Sequence, residues 1–138
     1  MKKTCWESSW GTVCWINDPK EYVERQVDEL IAKGADVNAK DENGFTVLMW
    51  AAHEGKAVAS LIKAGANLDE KDNNGWTALM MAVENGHIEA VKELIEAGAN
   101  TYVRNKFSHT ASVIAHHHGH NKIINMIKTL QQKSNNKC

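Results

Sequence analysis

Apolar residues in this chain recur at helical spacing, in short runs separated by polar turns rich in Gly, Asn and Asp. The clearest example runs from Lys71 to Gly98, KDNNGWTALMMAVENGHIEAVKELIEAG. Asn73-Asn74-Gly75 is turn chemistry, because Gly adopts positive φ without a Cβ penalty. Thr77 is placed to cap a short helix holding Leu79, Met80, Ala82 and Val83. Gly86 closes that helix and opens a tight turn. A second helix follows, with Ile88, Val91, Leu94 and Ile95 expected on one apolar face. Gly98 is expected to supply its left-handed C-cap.

The same arrangement recurs. Lys40 to Gly65 reads KDENGFTVLMWAAHEGKAVASLIKAG, and Arg104 to Gly119 reads RNKFSHTASVIAHHHG before running on to Leu130. Gly65 to Gly98 and Gly86 to Gly119 are both steps of 33 (98 − 65 and 119 − 86). A fixed period of this size marks stacked supersecondary units, in which neighbours bury the face that no unit buries alone. On these residues the chain resembles the ankyrin repeat family, whose unit reads roughly D-x-x-G-x-T-P-L-H-x-A-A-x-x-G-H-x-x-x-V-x-x-L-L-x-x-G-A. The resemblance holds in register over residues 34 to 130 and implies an all-α solenoid of about four helix-turn-helix units with degenerate capping repeats. The expected divisions are 1–36 for an N-terminal capping repeat, 37–68 and 69–101 for the second and third repeats, 102–134 for a C-terminal capping repeat, and 135–138 for a tail.

The departures from the pattern carry expectations of their own. Thr12-Val13-Cys14-Trp15 maps onto the helix start at Thr77-Ala78-Leu79-Met80, which reads residues 1–36 as a worn first unit. Asp18-Pro19 is a helix start, with Asp as N-cap and Pro at the first helical position; the helix is expected to run to about Ala32. Trp6, Trp10 and Trp15 either cover the open end of the stack or form an exposed aromatic patch. In the second unit the glycine steps shrink to 31 (65 − 34 and 86 − 55). Two residues are missing where His87-Ile88 would align, so the second helix there should start late, near Ala57. In the fourth unit Ser108 replaces the turn Gly, and the last helix is expected from about Asn121 to Gln131. The family's Pro is Val47, Ala78 and Ala111, and its His is Met49, Met80 and Val113, so apolar packing replaces a hydrogen-bonding position.

Composition adds an asymmetry. The net charge of −1 divides into −7 over residues 1–100 (10 basic, 17 acidic) and +6 over residues 101–138 (6 basic, none acidic). Such polarity either orients a charged partner during encounter or solvates a basic cap. Three cysteines without zinc spacing fit a reduced protein, with a Cys5–Cys14 pair left open. MKKT resembles the start of a signal peptide, but CWESSWGTVCW brings no apolar core. The chain is therefore expected in the cytoplasm, or in the periplasm if a leader has been removed. No apolar run reaches the length of a membrane span.

No nucleophile elbow, phosphate loop or H-E-x-x-H sequence is present, and catalysis and cofactors are not expected. His116, His117, His118 and His120 raise metal binding as an alternative, weakened by Gly119 between them and by the lack of further ligands nearby. Nucleic acid is not expected, because the first hundred residues would repel a duplex. The resemblance instead implies a protein partner, held on the concave face by a chain that is monomeric when free. Its variable positions carry over to Glu42, Asn43, Phe45, His53 and Glu54, then to Asn73, Asn74, Trp76, Glu84 and Asn85, then to Lys106, Phe107, His109, His117 and His118. Phe45, Trp76 and His109 share one slot just after the turn residue, and form either a row of partner anchors or rings packed on their own fingers. A stoichiometric inhibitor, such as an immunity protein that neutralises a bacterial toxin, is the sharpest expected function. An adaptor or chaperone for a secreted or membrane protein is the alternative.

Overall fold

Three threonines start three helices for the same reason. The first N–H groups of a helix lack intrahelical partners, and a side-chain oxygen at the N-cap accepts from one of them. Thr46 accepts from Met49 N at 3.3 Å, Thr77 from Met80 N at 3.3 Å, and Thr110 from Val113 N at 3.4 Å. The computed structural model describes the backbone of residues 5–8, 11–14, 20–34 and 36–135, and the side chains of residues 25–34 and 36–130. In chain order the elements are β1 (Cys5–Ser8), β2 (Gly11–Cys14), α1 (Lys20–Ala32), α2 (Val47–Glu54), α3 (Val58–Lys63), α4 (Ala78–Glu84), α5 (Ile88–Glu96), α6 (Ala111–His117) and α7 (Asn121–Asn135).

The helices stack in two rows. Helix α4 packs on α2, α5 and α6, while α5 packs on α3 and α7, and α1 on α3. The first helices α2, α4 and α6 therefore line one side, and α1, α3, α5 and α7 the other. Among the described residues, the largest side chains essentially removed from water are Leu48, Met49, Leu61, Leu79, Met80, Leu94, Ile123 and Ile127. Burial of Met49 and Met80 is the apolar packing expected at the altered family position. Each first helix is preceded by a finger. Asp41 and Asp72 each accept two backbone N–H bonds inside their own finger, from Asn43 and Phe45 and from Asn74 and Trp76, all at 2.8–2.9 Å. The fingers also bond to one another, through Asn73 N to Asn43 O at 3.0 Å and Lys106 N to Asn74 O at 2.9 Å.

Close approach explains two of the glycines. A Cβ on Gly75 would stand 3.0 Å from Lys106 N of the next finger, and one on Gly55 would stand 2.6 Å from the His87 ring. Both also hold positive φ, 77° and 71°.

The start of the chain differs from expectation. Thr12, Val13 and Cys14, mapped by sequence with Trp15 onto a helix start, lie in a strand, Gly11–Cys14, paired antiparallel with β1. Thr12, Val13 and Cys14 carry branched or compact side chains that suit an extended backbone, and the facing run from Cys5 offers a strand to pair with. Among the described residues seven helices carry the solenoid, and its first unit holds this hairpin and α1. The register sets Cys5 opposite Cys14. Opposed residues of an antiparallel pair have Cα atoms about 4.5–5.5 Å apart, within the ~4.4–6.8 Å that a disulfide spans. Asp18-Pro19 and the side chains of Trp6, Trp10 and Trp15 lie outside the described residues.

Three smaller differences follow the packing. Ile88, expected on the buried face, is 39% exposed; it stands at the first position of α5 and lines a shallow hollow with His120 and Ile123. Helix α7 continues past Gln131 to Asn135. Helix α3 has 6 residues against 9 in α5, and its N-cap Ala57 takes φ 61°, so the two-residue deletion is absorbed as a strained start.

Candidate functional site

The fingers and first helices of the second and third units meet in an open cleft of about 260 Å³. Its walls come from two turns and two helices. Phe45 and Trp76 stand on the fingers, immediately after Gly44 and Gly75, where the backbone has just been turned back by the Asp41 and Asp72 networks. Met49, Trp50 and His53 come from α2, and Met81 and Glu84 from α4; Asp72 and Asn74 complete the lining. Phe45 and Trp50 meet edge to face, with ring centroids 5.4 Å apart and planes at 86°. His53 continues the wall, 6.1 Å from Trp50. Phe45, Trp50 and Trp76 are half-buried against the core. The Trp50 indole N–H is buried without an acceptor among the described residues, a state that costs about 1–3 kcal/mol for a neutral donor.

Apart from His53, the ionisable groups lining the cleft are carboxylates. Asp72 and Glu84 contribute the carboxylates, and among the described residues no lysine or arginine lines it. Glu54 lies beside it, 3.1 Å from His53 Nδ1. Behind the fingers, Lys40 Nζ lies 2.7 Å from Glu70 Oε2 and ties the second unit to the third. The hydrogen bond from Lys40 holds the Glu70 carboxyl below the usual carboxylate range. Stability from that pair is therefore present above the ordinary carboxylate pKa and is lost as pH falls through the depressed one.

Of the residues expected to meet a partner, the structure gathers Phe45, His53, Asn74, Trp76 and Glu84 around the cleft. Glu42 and Asn43 are exposed at a fingertip, where Asn73 donates from its side chain to Glu42 O at 3.3 Å. Asn85 turns to its own helix and donates to Met81 O at 2.9 Å. On the fourth unit, His109 lies 6.3 Å from Phe107 and 5.2 Å from His117, between ring centroids, and forms a separate group beside exposed Lys106. His118 stacks on His120 instead, at 5.8 Å. Ser108 takes φ 63° and donates to Asn105 O at 2.9 Å, as Gly44 and Gly75 donate to Asp41 O and Asp72 O, so the fourth finger keeps the common turn. Trp50, Met49, Met81 and Asp72 were not among the expected contacts. The signal for Trp50 was available: an aromatic five residues after Phe45 and three before His53, in the middle of a short helix.

Two histidines link units. His87 Nε2 lies 2.8 Å from His53 O, and His120 Nε2 lies 3.3 Å from Glu84 O. A carbonyl oxygen only accepts, so each Nε2 carries the proton and satisfies a helix C-terminal carbonyl. Among the described residues, no three His, Cys, Asp or Glu side chains gather closely enough to hold a metal ion. No helix among them is long and apolar enough to cross a membrane.

A family model described as ankyrin repeats in three copies matches residues 20–105. A search of curated proteins found no match. The matched stretch covers most of the chain and contains the finger, first-helix and second-helix pattern on which the cleft is built. The chain belongs to the ankyrin repeat family.

Proposed function

We propose that the protein binds another protein at the cleft between the second and third units, and that binding is its whole action. Ankyrin repeats are protein–protein interaction modules. The observation that carries the assignment to this surface is the aromatic lining of an open cleft: Phe45, Trp50 and Trp76 together expose ring surface beside carboxylates. Interfaces concentrate their energy in a few aromatic anchors seated in such pockets, with Trp the most enriched. Binding without chemistry acts in proportion to the amount of binder. We therefore extend the reading to a stoichiometric inhibitor, the mode in which an immunity protein covers its toxin.

The test compares variants against the partner that the full-length protein captures. Trp76→Ala is expected to weaken that partner's binding by about 2 kcal/mol or more, roughly thirtyfold. Trp76 is half-buried, so circular dichroism must show the variant folded, and Glu84→Lys, at an exposed position on the same cleft, should weaken binding while leaving the melting temperature unchanged. Ile88→Ala, exposed and away from the cleft, should bind like the parent. Full affinity in folded Trp76→Ala, with or without loss in Ile88→Ala, overturns the assignment.

A further inference from the structure

The cleft's chemistry is more specific than a generic apolar anchor site. Phe45 and Trp50 stand nearly perpendicular, at 86°, so one ring edge faces the other's face and the pair forms a corner. Trp76 closes the cleft from the next finger, and Asp72 and Glu84 border it. Aromatic faces carry negative potential and attract a cation within about 6 Å of the ring centroid, most strongly at Trp. The carboxylates add to that field and accept N–H bonds. Among the described residues, no arginine or lysine lines the cleft to neutralise it. At about 260 Å³ the space falls below the ~300–1,000 Å³ of small-molecule sites and suits one long side chain.

We infer that the cleft receives the ammonium group of a lysine side chain presented by the protein partner. The inference rests on the proposed protein-binding role and names the chemistry of the residue inserted. Shape favours ammonium over guanidinium. A guanidinium is planar and stacks flat on one ring, whereas an ammonium is compact and fits a corner made by perpendicular rings. The four-carbon stem of lysine lies along Met49 and Met81, both buried walls of the cleft, while its three N–H donors meet the rim carboxylates. Charge complementarity supports the same occupant, since residues 1–100 hold a balance of −7.

The probes are Nα-acetyl-lysine amide, its uncharged analogue Nα-acetyl-norleucine amide, and Nα-acetyl-arginine amide. Each is titrated into the full-length protein while the indole N–H signals of Trp50 and Trp76 are followed by NMR. The lysine probe should shift both signals saturably and bind roughly tenfold or more tightly than the norleucine probe. Glu84→Gln should weaken the lysine probe and leave the norleucine probe unchanged. Equal binding by norleucine makes the cleft merely apolar and overturns the inference. Tighter binding by arginine, or no shift at Trp50 and Trp76, overturns it as well. The two readings separate. If Trp76→Ala abolishes partner binding while the lysine probe leaves the indoles unmoved, the protein-binding role stands and the lysine assignment falls. If the lysine probe binds while Trp76→Ala retains full partner affinity, the cleft is not the interface and both fall.

Discussion

At the scale of single residues, one side chain separates the fourth finger from the others. Gly44 and Gly75 turn their fingers at φ 80° and 77°, and Ser108 does the same at 63°. An L-residue held in the left-handed region costs about 1–2 kcal/mol relative to Gly, and Gly returns part of that by loosening the unfolded chain. Ser108 is exposed. Ser108→Gly is therefore expected to raise stability by about 0.5–1 kcal/mol, read from denaturant unfolding. A loss on this substitution would show that the hydroxyl, and not the angle, is what the finger needs. The companion position behaves in the opposite sense. A side chain on Gly75 meets backbone of the next finger at 3.0 Å, which cannot move aside like a flexible tip.

At the scale of elements, α4 is the centre of the stack. It contacts α2 and α6 in its own row and α5 behind it, and Leu79 sits at 1% exposure among them. Leu79→Ala removes buried methyl groups from a site held on several sides, where collapse is limited. The expected cost is about 2–5 kcal/mol in a denaturant titration; a loss under about 1 kcal/mol would mean the helix face is misassigned. The histidine links bear on the deletion in the second unit. His87 and His120 each bond a carbonyl at the C-terminus of the first helix of the preceding unit. The second unit lacks the two residues that would hold such a histidine. Among the described residues, the unit before it offers a hairpin and α1, with no first helix whose terminal carbonyl needs a donor. The lost residues thus leave no carbonyl of that kind unbonded, and the cost falls on Ala57, at φ 61°.

At the scale of the whole molecule, the charge division runs along the stack. The cleft lies in the acidic first hundred residues, and the basic surplus begins only at the fourth unit. Such a molecule attracts a cationic patch to the cleft end and orients it before contact. The rate of association with the captured partner should fall as salt rises from about 0.05 M to about 0.15 M, because screening shortens the steering range to about 8 Å. Stopped-flow mixing measures this. A rate that stays flat would reduce the polarity to solvation of the two ends and would remove one support for a cationic partner.

Period, turn glycines, threonine caps and the alternation of apolar faces were legible in the sequence because each is local. A positive-φ glycine, an N-cap hydroxyl and an i, i+3, i+4 stripe act within one turn or one helix, so Gly86, Thr77 and the Val91–Leu94 face mean the same thing in isolation as in the fold. The start of the chain was not legible, since Thr12-Val13-Cys14 is consistent with a helix start or a strand, and pairing with Cys5–Ser8 decided it. The exposure of Ile88, at the first position of α5, was likewise set only by the packing of the fold. Phe45, His53, Asn74, Trp76 and Glu84 could be named one by one from the repeat pattern. That they converge, and that Trp50 stands perpendicular to Phe45 between them, came only from stacking α2 against α4. The sequence determined the units and their period, and the tertiary structure decided which side chains share a cleft, because that depends on distances between residues some thirty positions apart.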